Sequence, residues 1–318
     1  MLGLILRRLS ISAVILLVVS MLVFVATLLL PGDPAQAILG QQATPERLEA
    51  LREQMNLNDP FAQRYLHWLG GLFVGDFGVS AASGGSVAAL LGDRIAASLV
   101  LMVAAAAISI PVGILVGTYS ALRRGKAGDH AATGISLVLA ALPDFVIGIA
   151  LVTLFSTTVF TVLPSVTMAP PGEQVWDYPS QLILPVLTLV LVVMPYIIRM
   201  MRTTMIEVLD SGYVEMARLK GVPERQVIWR HALPHAIAPV AQVVAIQLAW
   251  LAGGIVVVEF LFRYPGVGQA LVDAVTNRDV QVVQALAMLI AAVYVVVNLF
   301  ADIVGIVTNP KLRTGGIR

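Results

Sequence analysis

Few residues in this chain have the types and spacing for chemistry. His231 and His235 stand four apart, the spacing at which two imidazoles on one helix face can hold zinc. Pro234 lies between them and no HExxH glutamate accompanies them, while His67 and His130 are isolated. The metalloprotease pattern is therefore missing, and neither a metal site nor a catalytic centre is expected. The absence of cysteine excludes disulfides, thiol nucleophiles and cysteine-ligated metals. Gly125-Lys126 is followed by Ala127, so the chain also lacks a GxxxxGK[ST] phosphate cradle. Two carboxylates remain as candidates on a pathway, Asp144 and Glu259. Asp144 follows Pro143 in the middle of an apolar run, where a charge costs about 2.5–3.5 kcal/mol on insertion scales. Either it lines a cavity, or it accepts the backbone donors that the proline frees. Glu259 precedes the aromatic stretch Phe260–Tyr264 and is expected at the outer boundary, shaping a mouth or a docking surface.

The segments that must position these groups are apolar. Hydrophobic residues make up 58% of the chain and charged ones 12%, with a mean hydropathy of +0.89. A soluble domain carries about twice that charge. Six stretches reach the roughly 20 apolar residues of a membrane helix: 9–30, 97–121, 132–159, 181–200, 236–258 and 283–308. The rival reading of the first is a signal peptide. Its apolar run is long for that role and ends without a small-residue cleavage site, so a retained span is expected. Asp302, near one end of the last span, reads as a structural carboxylate within reach of water or a basic partner.

Lysine and arginine placement orients the spans. With the N-terminus inside, fourteen basic residues fall on the cytoplasmic side and six outside, four of these in the long segment 31–94. Both termini are then cytoplasmic. Within 31–94, Thr44-Pro45 and Asp59-Pro60 each set a capping residue before a proline at a helix start. The second opens a helix with Phe61, Tyr65, Trp68, Leu69 and Leu72 on one stripe. That stripe suits packing on the bundle, the lipid headgroup level or an external docking protein.

The segment 207–239 between the fourth and fifth spans is the most informative. Asp210 or Ser211 can cap a short helix running through Lys220, and Gly221 can end it in the left-handed conformation. Pro223 then starts a second short helix carrying Arg225, Val227, Ile228, Arg230 and His231. An ordinary basic loop would explain the charge. It would not explain an ordered connection of this length, since unstructured ones are uncommon.

From Tyr213 to Pro239 the chain resembles the EAA loop of the permease subunits of binding-protein-dependent ABC importers. Glu215, Met216, Ala217, Gly221 and Pro239 fill the pattern, with Met216 in place of the usual first alanine. Leu30-Pro31-Gly32-Asp33-Pro34, Gly75-Asp76-Phe77-Gly78, Phe262–Gly268 and Asn309-Pro310-Lys311-Leu312-Arg313 are similar to the dipeptide/oligopeptide/nickel branch. The long segment after the first span resembles the B-type permease of the pair.

The resemblance implies an all-α, six-span type I importer permease in a bacterial cytoplasmic membrane. It divides the chain into a first span with its cytoplasmic end (1–30), an extracytoplasmic segment with short helices (31–94) and a five-helix core (95–318). It also implies a non-catalytic subunit without a cofactor of its own, since ATP and magnesium belong to partners. Those partners are a second related permease, two cytosolic ABC ATPases, an extracytoplasmic solute-binding protein, lipid and a peptide substrate, with no nucleic acid. The family's coupling role falls on Tyr213, Glu215, Met216, Ala217, Arg218, Lys220, Gly221, Arg225, His231 and Pro239. Glu215 would make a polar contact to the ATPase or anchor the loop, and Arg218, Lys220 and Arg225 would form a basic rim. Nickel or another solute is the alternative cargo. An ion-driven secondary transporter is the other class, but no clear internal repeat and only one midplane carboxylate are present. A membrane-embedded enzyme would need convergent nucleophile and base, and the histidines lie outside the spans.

Overall fold

The computed structural model describes residues 2–29, 34–39, 43–54, 58–168, 170 and 173–308. The two sequence features at 30–33 and 309–313 lie outside the described residues. Among those described, the chain is helical, with one isolated bridge between Val79 and Ser86. The order is α1 (Leu2–Leu28), α2 (Pro34–Leu39), α3 (Pro45–Gln54), α4 (Phe61–Val74), α5 (Val87–Leu122), α6 (Ala127–Ala141) and α7 (Asp144–Val152). There follow α8 (Pro179–Leu209), α9 (Gly212–Leu219), α10 (Glu224–Gln226), α11 (Leu233–Leu261), α12 (Val267–Thr276) and α13 (Val280–Thr308). Among the described residues, five helices are long and apolar enough to cross a membrane, and a sixth crossing is made if the bent pair α6–α7 counts as one.

The spans differ from their sequence expectations in two places. The expected third span, 132–159, is broken: α6 and α7 meet at 106°. Pro143 is the cause. It removes a backbone donor and pushes Leu142 out of the helical region, to φ −86° and ψ 136°. Asp144 therefore starts a helix instead of standing mid-span. Its Oδ1 accepts the Phe145 N–H at 2.9 Å, which satisfies one freed donor. The second correction concerns the second, fourth and fifth spans, which overrun their apolar cores. The helix expected after Pro223 is no separate element: α10, a π-helical turn at Val227–Ala232 and α11 run on as one helix, Glu224–Leu261.

The helix α8 is the hub. Lipid tails are as apolar as leucine, so close packing rather than hydrophobicity must hold membrane helices together. Gly113 and Gly117 on α5 supply that closeness. A Cβ on Gly113 would come within 2.8 Å of the Ile197 side chain, and one on Gly117 within 2.7 Å of the Ile198 carbonyl and the Met201 Cβ. Around this crossing Leu101, Leu184, Leu189, Ile197, Met201, Met205 and Leu251 are wholly buried. Pro185 and Pro195 stay inside α8 without breaking it, because packed neighbours hold the helix.

At the periphery, α1 lies along α13. Arg8 pairs with Asp302, and the Gln284 amide donates to the Thr27 hydroxyl at 2.7 Å. The aromatic stripe of α4 packs on the bundle: Phe24 of α1 is ringed by Phe61, Tyr65 and Trp68 at 5.4–5.5 Å.

Candidate functional site

The element joining α8 to α11 is compact. Ser211 precedes α9, but its hydroxyl turns back to the Val208 carbonyl instead of capping. Val214 is fully buried and Ala217 half-buried, fixing one face of α9 on the bundle. The other face presents Tyr213, Met216 and Leu219, which are 46%, 53% and 74% exposed. Residues three apart share a helix side, so these form one apolar strip ending beside Lys220. The Glu215 carboxylate is exposed and accepts no hydrogen bond among the described residues.

A turn and a clamp fix the angle at which α9 stands. Gly221 adopts φ +76°, a conformation that costs other residues about 1–2 kcal/mol. The Gly221 N–H then bonds the Arg218 carbonyl at 2.9 Å, and the Val222 N–H the Ala217 carbonyl at 3.2 Å. Arg218 was expected in a basic rim. Instead its guanidinium donates to both Glu224 oxygens, at 2.7 and 3.1 Å, and that carboxylate raises its pKa above the ordinary arginine value. The ring of Tyr213 meets His235 edge-on at 5.2 Å. Arg225 is exposed, His231 is half-buried in the π-helical turn, and Pro239 lies further along α11.

The two pathway candidates lie apart from this element. Glu259 sits in the interior, 0% exposed, and not at a mouth. Its carboxylate accepts the Ser98 hydroxyl at 2.5 Å and the Gly268 N–H at 2.6 Å, which fastens the start of α12 to α5. No side chain fits at Gly266 or Gly268: a Cβ would fall 2.1 Å from the Glu259 carboxylate and 2.4 Å from the Val256 Cα respectively. Tyr264 is also fully buried and donates to the Ala97 carbonyl at 2.7 Å. Burial raises its phenol pKa, and so does the Glu259 charge. Nearby, Asp279 accepts the Ser80 hydroxyl at 2.5 Å, while Gln281 accepts the Val79 N–H at 2.8 Å. The residues that follow the Gly75–Gly78 motif thus dock at the start of α13. Asp144 is half-buried on the remote α7.

Two features had escaped the sequence reading. One is an exposed stripe along α11, at His235, Pro239, Gln242, Ile246, Trp250, Gly253, Val257 and Phe260. The steps of three and four are visible in the sequence, but which face is uncovered is not. The Gln242 amide has no hydrogen-bond partner among the described residues. The other is Asp129, which is buried and bonded to Arg202. Its signal was an acidic residue in the first turn of an apolar helix.

Residues 109–314 match the family described as the binding-protein-dependent transport system inner membrane component, and residues 1–109 match that family's N-terminal domain. The chain belongs to this family. It is 34% identical over 310 residues to a probable peptide ABC transporter permease protein of Sinorhizobium fredii, covering 97% of this chain and 98% of that one. A putative peptide transport system permease protein of Brucella abortus is 35% identical over 313 residues, with 98% and 99% covered. The Escherichia coli dipeptide transport system permease protein DppB is 33% identical over 337 residues, again with 98% and 99% covered. The chain is accordingly an ABC transporter permease of the inner membrane.

Proposed function

We propose that this permease conducts di- or oligopeptides across the inner membrane, with α9 docking on a cytosolic ABC ATPase whose nucleotide cycle drives the import. The carrying observation is the apolar strip Tyr213–Met216–Leu219, which is uncovered on the end rich in arginine and lysine. A contiguous exposed apolar surface marks an interaction site. Peptide cargo is supported by the names of the relatives above.

In this reading both termini and α9 are cytoplasmic, Glu215 and Lys220 supply polar contacts at the rim, and Arg218 holds the loop rigid. The chain itself hydrolyses no ATP. A second permease completes the channel, and an extracytoplasmic solute-binding protein delivers cargo. The α11 stripe, with its unpartnered Gln242, faces the path, because an amide directed at lipid has no hydrogen-bond partner there. Co-purification with the ATPase subunits, followed by peptide uptake in proteoliposomes, tests the proposal. Gly221→Val should leave the complex hydrolysing ATP while uptake falls at least about tenfold. Association with no ATPase, or uptake that follows an ion gradient, would refute it.

A further inference from the structure

Asp129 is 2% exposed, and its two oxygens accept four hydrogen bonds. They come from the Ser120 hydroxyl near the end of α5 (2.5 Å) and the Gly125 N–H in the turn that follows (2.9 Å). Arg202 of α8 supplies the others, through Nε at 2.5 Å and Nη2 at 2.8 Å. Nothing in the docking proposal uses this group. A carboxylate offers about four lone-pair sites, so the cluster is saturated. A saturated buried network with a two-pronged arginine is rigid.

Its position gives the rigidity a use. Arg202 lies seven residues before Leu209, where α8 ends and the chain turns into α9. Ser120 belongs to the helix whose glycines lock into α8, and Asp129 opens the half-helix that ends at the 106° bend. A second pair, Arg124 with Asp210 at 3.1 Å, joins the same turn to the residue before Ser211, but it is exposed and contributes little.

We propose that Asp129 is a positioning residue for transport. Its cluster joins the ends of α5, α6 and α8 into one lever, so that a displacement of α9 reaches the bent α6–α7 pair without loss, and the tie stays closed through the cycle. This rests on the docking role of α9 proposed above.

The test uses the complete complex in proteoliposomes and exploits the absence of cysteine in this chain, with any partner cysteines removed. Asp129→Asn and the reduced pair Asp129→Cys with Arg202→Cys should keep the ATPase subunits bound but move at least about tenfold less peptide per ATP hydrolysed. Bridging the two thiols with a short bifunctional reagent should restore coupling to within about threefold of the unsubstituted complex. Arg202→Lys, which keeps the charge but loses the fork, should fall between. The inference is overturned if Asp129→Asn or Arg202→Lys couples normally, or if the bridge fails to restore or abolishes coupling. An unsubstituted complex lacking ATPase subunits would instead refute the docking proposal, so the two failures are distinguishable.

Discussion

The two ends of the bundle are built on opposite plans. At the end holding Glu259, two carboxylates are buried and spent on internal bonds: Glu259 on Ser98 and Gly268, Asp279 on Ser80. At the end holding α9, most charges stay in solvent, and an apolar strip stands uncovered between them. Asp129 is the exception there, a buried knot beneath an exposed element. The contrast separates two tasks. One end keeps four helices and the loops between them in register, and the other offers a surface whose movement must be carried inward.

Substitutions can break that contrast, and the largest effect is expected at the buried end. Glu259→Ala strands the Ser98 hydroxyl and the Gly268 N–H. Each unsatisfied buried group costs about 1–3 kcal/mol, so the purified variant should lose roughly 3 kcal/mol of stability in thermal or denaturant melts. Gly117→Leu should follow, since it forces α5 off α8 at about 1–3 kcal/mol, again read by melting. On the exposed end the order of readouts reverses. Gly221→Ala should cost only about 1–2 kcal/mol through its positive φ, yet reduce peptide uptake far more than it lowers the melting temperature. Arg218→Ala should be smallest in stability. Its pair with Glu224 is substantially exposed and such pairs contribute about 0–1 kcal/mol, although ATPase affinity should still fall.

Much of the architecture was legible in the apolar runs, and the α9 stop was legible in Gly221, because backbone conformation there depends on one residue type. The prolines inside the described spans show where local rules run out. Pro143 breaks its helix at 106°, while Pro185 and Pro195 do not break theirs. Burial alone does not decide it: α8 has 56% of its apolar window buried, but α5 keeps Pro111 unbroken with 22% buried. Glu259 lies near the end of α11, as its place before Phe260–Tyr264 predicts, but it is covered. The chain after it folds back through Gly266 and Gly268 and covers it, and no spacing within the helix announces that return. Arg218 looked like a free charge because its partner Glu224 lies across a turn whose geometry only Gly221 defines. No local pattern marks Asp129, since its four donors come from three separate parts of the chain.

The docking role of α9 is tested most directly by cross-linking from single cysteines in the assembled complex, with partner subunits present and a thiol-to-amine reagent of short reach. Cysteines placed at Met216 and Leu219, both uncovered on α9, should each join the chain to an ATPase subunit. A cysteine at Phe73, 83% exposed on α4 near the opposite end, should not. Cross-links from Phe73 and none from Met216 or Leu219 would contradict the account.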